Sequence, residues 1–308
     1  MNYFDCHADT LTELPLDADL WKNRCDLDLE RVKGFAERYT QIFAIWKDRG
    51  QIGKRQPEDI FRQLYQRALQ LLNAQKEKVI WCTGTHGMQS AHEAGKAAVF
   101  LSVEDVSLMG SLVERVRELG IRFVMLTWNY ENEYACGAVS DQSRGLTKKG
   151  VDLVNRLLGQ DVVLDISHLS DQGVEDIFQL TSRPVMASHS NVREICRHPR
   201  NLNQAQIREL IRRKGLMGLN FYGDFVGAQP DVMDLVRHAD AVLQMGGEDI
   251  LAIGSDFDGC GGRFPEGIRG VQSIPYLKEA MRKAGFTEII LEKIFSRNAE
   301  RFLMENIK

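Results

Sequence analysis

The chain begins with a histidine and an aspartate two positions apart, in the segment YFDCHADT (3–10). Alternate side chains of an extended strand point to the same side, so His7 and Asp9 can reach one metal ion from neighbouring positions. Imidazole and carboxylate ligands together suit zinc or a similar divalent metal. A His-x-Asp pair also occurs by chance in many proteins, so the rest of the sequence has to decide whether it belongs to a metal site.

Four further polar residues follow apolar runs later in the chain. They are Glu104 in LSVEDV, His168 in LDISHLS, His189 in ASHS and Asp256 in GSDFDG. Taken singly, each has an ordinary interpretation, because a histidine can cap a helix and an acidic residue can lie at a helix N-terminus or in a turn. Taken together they favour metal binding, because charged side chains gathered at one place repel each other and are costly to bury without cations.

Charge balance predicts the number of metal ions. The carboxylates of Asp9, Glu104 and Asp256, together with one hydroxide, carry enough negative charge to balance two divalent cations. In two-metal hydrolytic sites the ions lie roughly 3.5–4 Å apart, a span that one carboxylate such as Glu104 can bridge. The sequence therefore predicts a dinuclear site whose ligand sets are completed by the three histidines.

These residues need a scaffold that brings distant parts of the chain together. Short apolar runs alternate with longer segments of helical periodicity, which is typical of repeated βα units around a parallel sheet. Eight apolar runs lie at 3–6, 41–46, 97–103, 122–127, 162–166, 185–187, 216–221 and 251–253. Helices are predicted at about 57–75, 107–119, 147–158, 171–181, 204–213, 230–245, 273–284 and from 287 onward. Asn203 before QAQ (204–206) resembles a capping box at the start of the helix at 204–213. Eight alternations favour a (β/α)8 TIM barrel over an open doubly wound sheet, with residues 1–308 as a single domain.

A barrel also predicts where the functional side chains lie, because active sites are built at the C-terminal ends of its strands. The polar residues named above all follow apolar runs in this way, and the polar segments 128–146 and 256–273 are predicted to be long loops at the same face. The other histidines follow no strand and are interpreted as surface or packing residues. They are His86, His92, His198 and His238.

Composition excludes several classes of function. The net charge is -4 and the basic residues are scattered, which argues against a nucleic-acid partner. No stretch of 18 apolar residues and no basic leader followed by an apolar run is present, so the expectation is a soluble protein that is neither exported nor membrane-bound. The six cysteines are widely spaced, without a Cys-x-x-Cys pair, and are expected to be reduced thiols in a cytoplasm. A small-molecule substrate is expected, and a homodimer is left open.

The motifs that carry these residues resemble the membrane (renal) dipeptidase family, zinc peptidases of family M19 with an amidohydrolase-like (β/α)8 barrel. The resemblance covers nearly the whole chain, with the motifs in the family's order and spacing. They are DCHADT (5–10), VED (103–105), GLTKKG (145–150), DISHLS (165–170), SHS (188–190), PRNL (199–202), GLNFYG (218–223) and GSDFDG (254–259).

The resemblance implies a specific assignment of metal ligands. His7 and Asp9 are expected to bind one zinc ion, His168 and His189 the other, and Glu104 to bridge the two. The implied reaction is hydrolysis of dipeptides by a hydroxide shared between the metals, and tolerance of a C-terminal D-residue is left open.

The resemblance also implies roles for residues outside the metal site. Asp256 is expected to be the catalytic acid/base. Arg200 is expected to hold the substrate carboxylate, with Tyr222 near the same pocket. Where family members usually have a histidine in LTH that helps to hold the substrate carbonyl, this chain has Trp128. An indole is bulkier and can donate one hydrogen bond but accept none, so Trp128 is expected to line the substrate pocket and alter specificity.

Two other functions stand beside the dipeptidase. The alternative enzyme is a dinuclear-metal amidohydrolase that acts on another amide, an N-acyl amino acid or a lactone, because fold and metal site do not fix the substrate. A non-catalytic binding protein is the alternative of a different class. It is disfavoured because none of the five ligand residues is missing from the sequence.

Overall fold

The computed structural model describes residues 1–307, which fold around a closed barrel of parallel strands. The strands are β1 (Asn2–Ala8), β2 (Arg38–Ile45), β3 (Val79–Trp81), β4 (Ala97–Val103), β5 (Ile121–Met125), β6 (Val163–Asp165), β7 (Met186–Ala187), β8 (Leu216–Leu219) and β9 (Leu251–Ile253). Eight of them form the ring β2-β1-β9-β8-β7-β6-β5-β4, which is closed by pairing between β4 and β2. The predicted (β/α)8 barrel is confirmed.

The strand β3 was not predicted, and it lies beside the ring rather than within it. It pairs with the first half of β4, at residues 97–99, whereas β5 pairs with the second half, at 101–103. Its sequence signal is the apolar run VIWC (79–82), which is at least as long as the runs that predicted β7 and β9 but was not counted among the eight. The eight predicted strands therefore account for the ring, and β3 extends the sheet on one edge of β4.

Helices connect the strands. They are α1 (Thr10–Glu13), α2 (Leu29–Lys33), α3 (Pro57–Ala74), α4 (Thr85–Glu93), α5 (Lys148–Leu158), α6 (Asp171–Leu180), α7 (Gln204–Arg212), α8 (Gly223–Val226), α9 (Val232–Gln244), α10 (Ile274–Lys283), α11 (Glu288–Glu292) and α12 (Asn298–Asn306). Six of them begin and end within two residues of their predicted bounds, because each has a well-defined apolar face. The α4 helix was not predicted, and α11 and α12 are joined by a π-helical turn at Lys293–Arg297.

Two local predictions can be compared directly with the structure. The predicted helix at 107–119 is instead a 3-10 segment, Val106–Arg115, which is interrupted at Gly110 by a positive φ of 54°. The predicted capping box of α7 is present, because Asn203 Oδ1 accepts a hydrogen bond from Gln206 N and Asn203 N donates one to Gln206 Oε1, both at 3.0 Å. Among residues 1–307, no helix combines the length and the apolar character that crossing a bilayer requires.

Apolar side chains fill one end of the barrel interior. Phe4 of β1, Phe100 of β4 and Phe123 of β5 form a buried cluster there with apolar residues of the other ring strands, and Phe302 of α12 packs against it. A barrel interior of this kind is a packed core and not a pore. The histidines and carboxylates named above lie at the opposite end, at the C-terminal ends of the strands.

Candidate active site

Five polar side chains meet at the C-terminal end of the barrel. His7 lies at the end of β1, Glu104 directly after β4, His168 after β6, His189 after β7 and Asp256 after β9. The first four are buried, and Asp256 is partly open. All ring strands are parallel, so these positions reach one site although they are spread over some 250 residues of sequence.

Glu104 lies at the centre of this cluster. Its Oε2 is 3.1 Å from His7 Nε2, and its Oε1 is 3.1 Å from His168 Nε2. His168 Nε2 is in turn 2.8 Å from His189 Nε2, and the rings of His7 and His189 stack with centroids 3.8 Å apart. One carboxylate therefore stands between nitrogen donors on both of its sides.

Asp9 and Asp256 complete the cluster beside His7. Asp9 Oδ1 lies 3.6 Å from His7 Nε2, and Asp256 Oδ1 lies 3.8 Å from the same atom. The expectation that His7 and Asp9 share one extended strand is wrong in detail, because β1 ends at Ala8 and Asp9 has φ -95° and ψ 4°. Asp9 N donates to Phe257 O at 2.9 Å. A bend in the chain, rather than strand alternation, brings the two side chains together.

The backbone at the site is strained. Four of the six non-glycine residues with positive φ among residues 1–307 are Asp105, His168, Asp256 and Asp258, each of them at or beside a residue of the cluster. Positive φ is sterically unfavourable for residues with a side chain and persists only where surrounding interactions enforce it. Such strain concentrates at functional sites, as it does here.

A buried aspartate, Asp5, supports one half of the cluster. Its Oδ1 accepts hydrogen bonds from the backbone N of His7 at 3.2 Å and of Ser255 at 2.9 Å. Its Oδ2 accepts from the hydroxyls of Ser255 and Tyr3, at 2.6 and 2.7 Å. Asp5 therefore ties the end of β1 to the residue that precedes Asp256.

Asp165 supports the other half in the same manner. Its Oδ1 accepts from the backbone N of Ser167 at 2.9 Å and of Ser188 at 3.1 Å, the residues directly before His168 and His189. Neither Asp5 nor Asp165 was predicted from the sequence. The signal that could have found them is an aspartate two or three positions before a strand-end histidine, in DCH and DISH.

The two histidines after β6 and β7 are neutral at pH 7. Burial lowers the pKa of His168 to about 4, and burial lowers the pKa of His189 well below its usual value. His168 Nδ1 bonds to Asn129 Oδ1 at 2.9 Å, and His189 Nδ1 bonds to Ser188 Oγ at 2.7 Å. Both Nδ1 contacts are compatible with a proton on Nδ1, and this tautomer would direct both Nε2 lone pairs into the cluster, which is the state that a metal requires.

The carboxylates experience opposing electrostatic effects. Burial raises the pKa of Asp9 to about 8, and burial raises the pKa of Asp256 to about 6, with the charge of Glu104 adding to both. Burial also opposes ionisation of Glu104, but His168 and His7 outweigh it and hold the pKa of Glu104 well below its usual range. Three carboxylates this close can all be ionised only if cations balance them.

The donor set fits a divalent metal centre. His7 Nε2, Asp9 Oδ1 and Glu104 Oε2 are buried and have no hydrogen-bond partner among residues 1–307. Buried polar atoms without partners are costly unless a ligand satisfies them. Imidazole nitrogens and carboxylate oxygens are the donors that zinc and similar ions use. The cluster can therefore hold divalent metal, with His168 and His189 as further donors.

A cleft of about 380 Å³ opens onto the cluster. The residues predicted to bind substrate, Arg200, Tyr222 and Trp128, line its walls. The centroid of the Trp128 ring lies 6.4 Å from that of the His168 ring. The guanidinium carbon of Arg263 lies over the Tyr222 ring, 4.8 Å from its centroid. Seven of the nine predicted site residues thus line one cleft, and the other two, His7 and His189, are buried in the donor cluster beside it.

Arg200 is a buried cation with few partners. Its side chain donates one long hydrogen bond, from Nη2 to His189 O at 3.4 Å, and its Nε has no partner among residues 1–307. Burial lowers the pKa of Arg200 to about 10, so it stays charged at neutral pH.

His198, interpreted above as a surface or packing residue, lines the cleft, and its Nδ1 accepts a hydrogen bond from Arg200 N at 3.2 Å. The sequence signal that could have placed His198 at the cleft is its position two residues before the predicted substrate-binding residue Arg200, in HPR (198–200).

Comparison with known proteins identifies the family. A family model described as membrane dipeptidase (peptidase family M19) matches residues 1–307. Dipeptidase tcpJ of Claviceps purpurea (strain 20.1) is 28% identical over 235 residues, which make up 71% of this chain and 55% of that protein.

Solved structures share the barrel. A metallo peptidase from Rhodobacter sphaeroides, liganded with a phosphinate mimic of the dipeptide L-Ala-D-Ala, is 24% identical with a TM-score of 0.88, and the match covers 99% of each chain. Dipeptidase AC, described as a metallo peptidase of family M19, is 25% identical with a TM-score of 0.88, and the match covers 99% of this chain and 98% of that one. Because the family model matches nearly every residue, the chain belongs to the membrane dipeptidase family, peptidase family M19.

Proposed function

We propose that this protein is a metal-dependent dipeptidase that hydrolyses the peptide bond of dipeptides, including those with a C-terminal D-residue. The observation that carries the proposal is the cleft, where a buried cluster of nitrogen and oxygen donors lies beside the nearly unpaired Arg200. A dipeptide offers the complementary pair of groups, a scissile carbonyl and a free carboxylate close to it. Membership of the M19 family supports the same conclusion.

The proposed resident metals are two zinc ions. His7 and Asp9 would hold one ion, His168 and His189 the other, and Glu104 would lie between them. The 3.1 Å contacts of the two Glu104 oxygens with nitrogens on opposite sides support its bridging position. Bound there, the ions would supply Lewis-acid polarisation of the scissile carbonyl and activate water at neutral pH.

Asp256 is the proposed acid/base. Its Oδ2 accepts a hydrogen bond from Asn220 Nδ2 at 3.0 Å, and the residue borders the cleft. A carboxylate that is fixed through one oxygen can use the other to take a proton from the attacking water. The same oxygen can then return that proton to the leaving amine, so that no net proton is consumed at Asp256.

Arg200 is the proposed anchor of the substrate carboxylate. A guanidinium presents parallel N–H groups that match a carboxylate in a bidentate arrangement. Anchoring the terminal carboxylate beside the donor cluster places the first peptide bond from that end over the cluster, which favours dipeptides over longer peptides. Tyr222 lines the same wall of the cleft and is proposed to contact the substrate there.

A second candidate function is hydrolysis of another amide, an N-acyl amino acid or a lactone by the same centre. The observation that favours it is Trp128, which lines the cleft where the family usually has a histidine. An indole N–H can still donate a hydrogen bond to a substrate carbonyl, but the indole is bulkier than imidazole and cannot carry a charge, so the cleft that it lines has a different shape and charge.

A cytoplasmic location is also proposed. All six cysteines are free, and four of them are buried. Unpaired thiols are the rule in reducing compartments and disulfides are the rule outside them. Fractionation of native cells, with the protein followed by antibody, measures the location directly.

The test is the release of free amino acids from a panel of L,L and L,D dipeptides by the purified protein, first stripped of metal and then restored with zinc. Release that depends on zinc, with two ions bound per chain, is the expected result. Zinc-replete protein that cleaves no dipeptide would exclude the dipeptidase and direct assays to the second candidate.

A matched pair of variants tests the metal assignment. Glu104→Gln should lower zinc content and release together, whereas Glu118→Gln, at an exposed glutamate, should leave both unchanged. Full zinc content in Glu104→Gln would contradict the bridging role.

A further inference from the structure

Three aromatic side chains, Trp46, Trp128 and Tyr130, form one continuous wall of the cleft and are called the aromatic wall below. Trp46 follows β2 directly, and Trp128 and Tyr130 follow β5. The ring centroids of Trp46 and Trp128 are 5.3 Å apart, and those of Trp128 and Tyr130 are 5.5 Å apart. The Trp128 ring is also 6.4 Å from the His168 ring, so the wall begins at the edge of the donor cluster.

One end of the aromatic wall, Trp46, faces Arg200 across the mouth of the barrel, and Trp128 and Tyr130 extend the wall from there toward His168. Trp46 follows β2, and Arg200 lies in the loop that follows β7. In the ring of eight strands, β7 is the fourth neighbour of β2 in either direction, so the two strands are diametrically opposed. Glu104, after β4, and His168, after β6, lie between these two sides. A molecule that extends from Arg200 over the donor cluster therefore reaches the aromatic wall.

The wall presents apolar surface because it consists of three aromatic rings, and two ion pairs flank it. Arg49 Nη1 lies 3.0 Å from Glu133 Oε2, and Glu131 pairs with Arg144. The side chain of Tyr130 is 60% exposed, so its ring faces water. A bound apolar group would cover this surface, and aromatic groups gain additional energy from edge-to-face or offset contacts with other rings.

We infer that the aromatic wall is the subsite for the side chain of the substrate's first residue and that it selects large apolar, above all aromatic, side chains there. The inference rests on the proposed dipeptidase function and specifies its substrate class. With the terminal carboxylate on Arg200 and the scissile carbonyl over the donor cluster, the first residue is the part of a dipeptide that reaches the wall. A charged first residue is disfavoured, because the apolar ring faces do not replace the water that its charge loses on binding.

The test compares kcat/KM for a series of dipeptides X-Ala that differ only in the first residue, with X as Ala, Leu, Phe, Trp, Glu or Lys. The zinc-restored protein should prefer Phe-Ala and Trp-Ala over Ala-Ala by tenfold or more, and should disfavour Glu-Ala and Lys-Ala relative to Leu-Ala. If all six substrates are cleaved within threefold of one another, the inference fails while the dipeptidase function stands. If none of them, Ala-Ala included, is cleaved, both are refuted.

Two variants separate a subsite from a structural role. Trp46→Leu and Trp128→Ala should each bring the Phe-Ala to Ala-Ala ratio of kcat/KM to within threefold, because an aromatic contact is lost only where the substrate has a large side chain. Tyr276→Ala, at an exposed aromatic residue in α10, should leave the ratio as in the wild type. Equal losses on Phe-Ala and Ala-Ala in both tryptophan variants, with the ratio unchanged, would overturn the inference.

Discussion

Replacing Arg200 by alanine should remove the recognition of the substrate's free carboxylate and little else. Arg200 is 3% exposed, and its side-chain donors among residues 1–307 make only the 3.4 Å bond to His189 O. Its Nε lacks a partner. Its free donors border the cleft, so the guanidinium can take up a carboxylate without breaking a strong internal bond.

The size of the effect follows from the hydrogen bonds that a bidentate pair forms. Each hydrogen bond to a charged group contributes about 1.5–3 kcal/mol, and the cleft is open to water, so the lower value applies to both bonds. Their sum is about 3 kcal/mol, which at 1.4 kcal/mol per factor of ten corresponds to a loss of about 150-fold in kcat/KM. A C-terminal amide cannot form the ionic pair and should lose less than about threefold.

The assay is kcat/KM for one dipeptide and for its C-terminal amide, in the wild type, in Arg200→Ala and in Arg197→Ala. Arg197 is an exposed arginine in the same loop, and its replacement controls for a change in the net charge of that loop. The dipeptide should lose about 150-fold only in Arg200→Ala. Equal losses on dipeptide and amide, or a loss of similar size in Arg197→Ala, would refute the assigned role.

Other predictions concern the acid/base, a buried histidine and the support of the metal site. Asp256→Asn should keep its zinc, measured by elemental analysis, but lose about 10²–10⁴-fold in kcat, and wild-type turnover would remove it from the mechanism. Burial lowers the pKa of His238 from 6.5 to about 4. In the folded protein its Nδ1 accepts a hydrogen bond from Val192 N at 3.1 Å. The unfolded chain therefore binds more protons between these pH values, and the free energy of unfolding should fall by up to about 3 kcal/mol as the pH drops from 6.5 to 4. Urea titrations at several pH values should show that the free energy of unfolding falls less with decreasing pH in His238→Gln than in the wild type. An equal fall in both proteins would contradict this assignment. Asp165→Asn should weaken zinc binding, measured by chelator competition, by about 10–100-fold, whereas the exposed Asp152→Asn should not; equal affinities in the two variants would mean that Asp165 does not position the ligands.

Much of the fold could be predicted because its signals are local. The alternation of apolar runs and amphipathic segments predicts the ring of eight strands, and the capping box at Asn203 predicts the start of α7. The strand β3 escaped prediction although its apolar run VIWC (79–82) is at least as long as those of β7 and β9, and its place beside the ring depends on tertiary pairing with β4. The segment after Glu104 is a 3-10 helix interrupted at Gly110 by a positive φ, which helical periodicity does not predict.

The candidate site likewise contains residues whose roles the sequence predicts and residues whose roles it does not. The metal and substrate candidates could be named because strand-end placement is a property of the sequence, and because the motifs around them resemble those of one family. The roles of Asp5 and Asp165 could not be predicted, since each depends on a hydrogen bond to a serine on a neighbouring strand. The position of Asp9 was predicted from strand alternation, although a bend after Ala8 is what brings it to His7.

The sequence by itself determined which residue types stand at the strand ends, and therefore that histidines and carboxylates would gather at one face of a parallel barrel. Only the tertiary structure decided which side chains face one another. Trp46 meets Trp128 at 5.3 Å across 82 positions of sequence, and Trp46 follows the strand diametrically opposed to the one that precedes Arg200. Such pairings arise when the barrel closes between β2 and β4, because closure fixes the distances between loops whose own sequences carry no information about one another.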